Sequence, residues 1–549
     1  MDKVANVVSN SAKKRVPYQE SPPHSRVALL SSSGHRVGGS STPVDGHFQG
    51  SLVEHHAHHE TRREFVEGCR SMYIFFTMVC AVDRCDIARL TVDMLPDVAL
   101  LTIFDFYLET KVGYELYKKE IESWHTLVHV CRKWRNVVFG SPRRLKLRLR
   151  CSAGTLERGR LDVWPLLPIV VLDGDHEKRG VRYIIAALKH NDRVCGIKLR
   201  WYDLSWGSSP SSQMEDVLVA MRRPFPTLTN LIVRAEGKAA PLVPASFLGG
   251  SAPCLQSLVL RRIPFLALPK LVLSATHLVD LELLDIPESG YISPEAMVAS
   301  LSVLTRLERF RISFESPEPH PDQKSRRPFP QTRTLLPVLT GLWFGGVNEY
   351  LEDLVAQIDA PLLNELYLAF STFDTPQLTP FISRLPKFKA HNKARVFLFG
   401  EDAVIKLPRA FDGAPELEIS CEEPERQLSW MARLCSSSLP PALIPTVEYL
   451  YFISGELPYL ADVEFELEDS LWLELLRPFT SVKYLYISYE FEHDLAAVLQ
   501  GLVGEKVTEV LPALQTLFVQ GRFQEAIGSF VAARQLSGHP ITVSHWNEE

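Results

Sequence analysis

The residues best suited to chemistry in this chain are a thiol and an imidazole two positions apart, Cys131 and His129. Together they would form an activated nucleophile if the thiolate stood in an accessible site beside a base or a positive field. The helical period around them instead places Cys131 among buried positions, which predicts an inert structural thiol. Four further imidazoles, His55, His56, His58 and His59, form a tight cluster, but neither a fixed scaffold nor a second shell is legible around them, so no metal site is expected. The carboxylates Asp402, Glu422 and Glu423 sit in ordinary polar stretches without a partner set. The chain has no phosphate-cradling GxxxxGK, no strand–GxGxxG–helix fingerprint, no GxSxG elbow and no HExxH zinc pair. These readings predict a protein that is not an enzyme and uses no cofactor.

Any site must therefore be one of binding, built on elements that the length and composition constrain. At 549 residues the chain is long for one compact core, which predicts two or more folded units or an extended repeat array. Its 46% apolar content suits a folded interior. Its 59 basic residues against 65 acidic give a net charge of −6, without the basic surplus a general nucleic-acid binder needs to displace counterions. Nine cysteines without a Cys-x-x-Cys pair predict reduced thiols and a cytoplasmic or nuclear setting.

Residues 1–60 are rich in Ser, Gly, Pro and His and offer no apolar period to bury, so they are read as a disordered tail. Residues 61–90 form a linker whose apolar stretch, Met72 to Val82, is bounded by Arg70 and Asp83. That stretch is about half the roughly 20 residues a helix needs to cross a bilayer, so no membrane association is expected. Met1 and Met78 are both readable as the start.

The text changes over 91–142. Leu95-Pro96-Asp97 reads as a helix entry, because Pro fits the first turn, where its missing N–H costs nothing. Leu100, Leu101, Phe104 and Leu108 then recur at helical spacing, and Trp124, Leu127, Val128, Cys131, Trp134 and Val138 repeat that period. Two or three short helices in so few residues make a small core, one that a partner would complete. The strings LPDVALLTIFDFYL and WHTLVHVCRKWRNVVFGSPRRL resemble the F-box of the large fungal (mushroom-type) F-box protein families: Leu-Pro, then Ile-Phe, then Val-Cys-basic-x-Trp-Arg, in that order. Two departures mark this copy, a longer spacer over Glu109 to Ser123 and Val98-Ala99 in place of an acidic residue. The resemblance implies docking on the Skp adaptor and, through it, on the cullin core of an SCF (Skp–cullin–F-box) ubiquitin ligase. Carried over by position, it implies contacts from Leu95, Pro96, Leu100, Ile103, Phe104, Val130, Cys131 and Trp134.

Over 143–549 the form apolar-x-x-apolar-x-apolar recurs. Clear copies include Val194/Ile197/Leu199, Leu228/Leu231/Val233, Leu255/Leu258/Leu260 and Val482/Leu485/Ile487, with weaker ones at Ala394/Phe397/Phe399 and Ala414/Leu417/Ile419. First anchors fall 20 to 35 residues apart, bracketing and exceeding the about 20–29 of leucine-rich repeats. The last two apolar residues of each copy would alternate inward on a short strand, and only stacked neighbours could bury them. Prolines such as Pro226, Pro253, Pro361 and Pro512 mark turns into the strands, while 294–304 and 495–502 suit helices. The Pro-rich stretch 315–334 reads as an inserted loop. The expected fold is α/β: a short all-helical F-box, then an irregular leucine-rich-repeat-like solenoid of parallel strands with outer helices.

On such strands the residues flanking the inward positions share the opposite face. In early copies these include Lys198, Arg200, Arg234, Arg261, Arg309 and Arg311; in later ones Trp343, Tyr367, Tyr449, Tyr451, Tyr484, Tyr486 and Phe518. Arginines and aromatics dominate interface energetics because they bury much area and keep polar handles. Two readings stand: a face for a protein substrate, basic at one end and aromatic at the other, or rings that merely cover the sheet beside solvated arginines. The function expected is substrate recruitment for ubiquitination; the alternative is a repeat scaffold with no tie to the ligase.

Overall fold

Three helices come first among the described residues. α1 (Asp97–Glu109) starts behind Pro96, and α2 (Ser123–Val130) and α3 (Arg132–Gly140) follow. The helical period runs without interruption through 124–138, but the structure breaks it at Cys131 into two helices. There the backbone is extended (φ −155°, ψ 172°), and the Cys131 Sγ caps α3 by accepting the Trp134 N–H at 3.4 Å. The Leu95 carbonyl accepts from Lys133 Nζ at 2.7 Å and the Val128 carbonyl from Arg135 Nε at 3.0 Å, which ties the entry of α1 and the end of α2 to α3.

Beyond them the alternating residues build one mostly parallel sheet of 16 strands. Its strands are β1 (Leu149–Cys151), β2 (Ile169–Leu172), β3 (Val194–Tyr202), β4 (Asn230–Glu236), β5 (Ser257–Arg261), β6 (Asp280–Ile286) and β7 (Arg309–Phe314). A separate two-stranded ladder pairs β8 (Thr334–Leu335) with β10 (Ile358–Asp359). The main sheet continues through β9 (Gly341–Gly346), β11 (Glu365–Phe370), β12 (Lys393–Leu398), β13 (Ala403–Leu407), β14 (Glu416–Cys421), β15 (Tyr449–Ser454), β16 (Tyr484–Ile487), β17 (Thr516–Val519) and β18 (Thr542–His545). In this computed structural model the described residues are 95–109, 123–142, 145, 148–151, 167–172, 178–202, 210–236, 242–315, 332–370, 376–389, 391–398, 403–408, 416–421, 427–454, 469–502, 504, 506–520 and 527–546. The tail, the linker with Met78, the histidine cluster, the spacer after α1, most of the Pro-rich loop, Asp402, Glu422 and Glu423 lie outside them.

One face of the sheet is closed by apolar pairs such as Ile197/Leu199, Leu281/Leu283, Leu366/Leu368 and Leu485/Ile487, all buried. These join the connecting helices in one hydrophobic core, which also takes in Leu100 and Phe104. One connection shows how its helix is started. Ser293 caps the helix Pro294–Leu301, its hydroxyl accepting the Ala296 N–H at 3.3 Å, with Pro294 in the first turn and Met297, Val298 and Leu301 facing the core. Buried polar groups stitch neighbours together: the Glu352 carboxylate accepts the Gln377 and Leu378 N–H groups, and Glu492 accepts the Gln520 N–H at 2.8 Å.

The order departs from a simple repeat once. Space runs β11-β14-β13-β12-β15, with β13 antiparallel to both its neighbours. A helix-bearing crossover is needed between parallel strands, whereas the short links around β13 permit a meander. The copy expected at Ala394/Phe397/Phe399 is also read one step out of register: Ala394, Val396 and Leu398 are buried, and Phe397 points to the other face. A strand's period of two makes a single-residue slip exchange its faces. No helix among the described residues is long and apolar enough to cross a membrane.

Candidate binding face

Because neighbouring strands are in register, each outward position lines up with its neighbour and forms a row across the sheet. The central row runs from Lys198 through Ile232, Val259, Glu282, Arg311, Trp343, Tyr367, Glu418, Lys406 and Arg395 to Tyr451, Tyr486 and Phe518. The antiparallel β13 does not interrupt it, since Lys406 lies opposite both Glu418 and Arg395. Row neighbours on adjacent strands stand about 4.8 Å apart, close enough for rings to stack.

They do stack. Tyr451 and Tyr486 lie 4.2 Å apart between ring centres at 11°, Tyr486 and Phe518 4.3 Å at 3°, Tyr449 and Tyr484 4.7 Å at 22°, and Trp343 and Tyr367 4.9 Å at 3°. A cation lies over the leading ring of each stack: Arg311 is 4.0 Å from the Trp343 ring, Arg395 5.7 Å from Tyr451 and Lys393 5.8 Å from Tyr449. Rings stacked face to face along a row turn their edges to solvent. The face therefore offers ring edges and phenol hydroxyls, not flat π surfaces on which a base or sugar would lie. Loss of hydration, and then the adjacent Tyr451 hydroxyl, push the Tyr486 phenol up to about 12, so it stays a neutral hydroxyl.

Sequence reasoning missed Trp546. The strand β18 carries it past Val519, whose carbonyl accepts its N–H at 3.0 Å. Its indole then turns back across β17, donating to the Ile487 carbonyl at 3.1 Å and meeting Tyr486 and Tyr451 edge-on at 5.4 and 6.3 Å. Only the alternation of β18 hinted at it, since Ser544 and Trp546 share a parity.

The arginines proposed from the sequence all lie on this face, and most are matched. Arg309 bonds Asp280, Arg311 lies 3.4 Å from Glu282, Arg200 3.7 Å from Glu236 and Arg261 2.8 Å from Asp285; Lys406 lies 2.9 Å from Glu418. The end expected to be basic is thus largely a lattice of ion pairs, each weak by itself in solvent.

On the helices the resemblance-derived residues divide. Leu100 and Phe104 are fully buried, Phe104 meeting the Trp134 ring edge-on at 4.8 Å. These two therefore serve the unit's own interior, where the motif position implies a partner contact. Pro96 is exposed and Leu95, Ile103, Cys131 and Trp134 are half-buried. Val130 is 55% exposed and Val98 66%, although Val98 was not among the residues implied. Cys131, expected in the interior, is half-exposed, because the break at its position removes it from the helical period.

No group of three or more His, Cys, Asp or Glu among the described residues is placed to hold a metal ion. Burial pushes the Cys435 thiol well up, and Cys195 upward to a lesser degree, which disfavours the thiolate at both. No protein-family model matches the chain, and no curated protein matches it either.

Proposed function

We propose that this protein recruits protein substrates to an SCF-type ubiquitin ligase, with α1–α3 as an F-box of the fungal type and the sheet with its helices as a degenerate leucine-rich-repeat solenoid. The observation that carries it is the apolar surface left on these helices: Val98, Val130 and Pro96 stay exposed while Leu100 and Phe104 are buried. Apolar groups left exposed on these helices are what an adaptor would cover. The uncovered strand face, with its tyrosines, Trp343 and arginines, is the surface offered to a target. The chain itself would contribute proximity and orientation while the ligase core performs acyl transfer, so no catalytic residue or cofactor is assigned to it. Such a role belongs to the cytoplasm or nucleus.

The test is capture of a purified Skp adaptor by the full chain. Wild type should bind, and Leu95→Ala/Pro96→Ala and Val98→Glu should each weaken capture about tenfold or more, as loss of a buried interface contact does. Absence of binding by the folded wild type would favour the second reading, a repeat scaffold without a ligase. The burial of Leu100 and Phe104 in a core continuous with the sheet is the observation that favours it.

A further inference from the structure

Across β6 to β14 the charges of the uncovered face answer one another, but β3 to β5 leave a vacancy. Arg200, Arg234 and Arg261 stand in register on three adjacent parallel strands. Like charges placed directly opposite repel, so the row needs carboxylates. Among the described residues the acids paired with it are Glu236, on the strand of Arg234 and 3.7 Å from Arg200, and Asp285, 2.8 Å from Arg261.

Asp285 reaches its position through a bulge. The register of β6 against β7 shifts between Leu283 and Ile286, and Asp285 adopts a φ of 52°, a left-handed conformation that Asp tolerates better than most residues. Ser313 holds it, the hydroxyl oxygen accepting the Asp285 N–H at 2.8 Å. The same carboxylate lies 3.7 Å from Arg262, so one acid serves two guanidinium groups. Arg234, in the middle of the row, has no ion-pair or hydrogen-bond partner among the described residues, and its Nε is buried without an acceptor. Arg234, and one of the two guanidinium groups that share Asp285, are thus left without a carboxylate of their own among the described residues.

We infer that Arg200, Arg234 and Arg261 form a binding site for a phosphoryl-type dianion, with Arg234 as its central contact. A phosphate ester carries about −1.5 to −2 at neutral pH, which matches the open charge. The guanidinium fork presents paired donors to two oxygens of one anion, and partial burial lessens screening by salt. Such a dianion exists free in solution or esterified on a side chain of a captured protein. The inference sharpens the target-capture half of the proposed function and does not rest on the adaptor contact of α1–α3.

Calorimetric titration of the full chain tests it, with three probes: inorganic phosphate, a phosphoserine peptide and the same peptide unphosphorylated. Wild type should bind a phosphate-bearing probe saturably. Arg234→Ala should weaken that binding about 10- to 100-fold, the range for a hydrogen bond to a charged group, and Arg234→Lys should retain part of it. Arg477→Ala, at the end of the connecting helix Asp469–Leu476 and 3.7 Å from Glu509, should leave it unchanged. Preference for the phosphopeptide assigns the site to an esterified phosphate; equal or better binding of inorganic phosphate assigns it to the free ion; either supports the site. Thermal melting confirms that each variant is folded, and Arg234→Gln replaces the alanine variant if that one unfolds. No saturable binding of either phosphate probe to wild type, or equal losses in Arg234→Ala and Arg477→Ala, overturns the inference. A failed capture of the Skp adaptor leaves these outcomes untouched, so the two proposals fail separately.

Discussion

The indole of Trp343 folds back along its own strand over Gly341, so close that a Cβ at position 341 would stand 2.5 Å from Cζ3 and 2.9 Å from Cη2. The glycine here serves a neighbour's side chain, since β9 runs at this point with ordinary extended backbone. By accommodating the indole, Gly341 allows Trp343 to lie between the Arg311 guanidinium and the Tyr367 ring.

Gly341→Ala should therefore move the indole and open the Trp343–Tyr367 stack with little loss of global stability, because the clashing atoms are the far end of a side chain on the uncovered face. The measurement is tryptophan emission, taken as the difference from Trp343→Phe in each background. A shift in that difference spectrum with a melting temperature within a few degrees of wild type is expected. An unchanged spectrum would show that the indole does not depend on the glycine.

His391 should make the fold sensitive to mild acid. It is 6% exposed, its backbone N–H is accepted by the Thr446 hydroxyl oxygen at 3.0 Å, and Nε2 has no partner among the described residues. Burial lowers its pKa to about 4, against a smaller opposing push from the hydrogen bond with the Pro408 backbone. The folded state thus holds a neutral imidazole while the unfolded chain takes up a proton near pH 6.5. Between those values the unfolded state binds more protons, so stability is fully present above about pH 6.5 and is lost as pH falls toward 4, by up to about 3 kcal/mol. Urea unfolding at pH 7 and at pH 4.5 should show this loss in wild type and a smaller one in His391→Phe.

Arg534 is fully buried and acts as a staple. Its Nη1 donates to the Val507 carbonyl at 3.1 Å, and its Nη2 to the Leu514 carbonyl at 3.1 Å and the Pro512 carbonyl at 3.5 Å, joining the helix Gly528–Leu536 to the segment before β17. Arg534→Met keeps most of the apolar stem but strands these carbonyls away from water, and should cost about 3 kcal/mol. The readout is a lower denaturation midpoint at constant slope. Arg534→Lys should recover only part of the loss, because one ammonium does not span the positions that the fork reaches.

The local code of this chain is legible in its sequence, and it sets which residues face inward. Pairs such as Ile197/Leu199 and Leu485/Ile487 follow the period of a strand, so their burial needs only the alternation that neighbouring residues carry. The outward parity of Arg234, Tyr451 and Tyr486 follows from the same alternation. What the sequence does not contain is the identity of each residue's neighbour across the sheet, because strand pairing joins segments dozens of positions apart. Only the tertiary structure reverses the order of β12 to β14, sets Lys406 between Glu418 and Arg395, and brings Trp546 over Tyr486. Pairing likewise turns a row of arginines into ion pairs with one member left open, since the acids that answer them come from other strands or, at Asp285, from a bulge. Cys131 shows the same limit at short range: its spacing fits a continuous helix, but the extended backbone at that residue, fixed by the packing of α2 against α3, puts its sulfur at a cap.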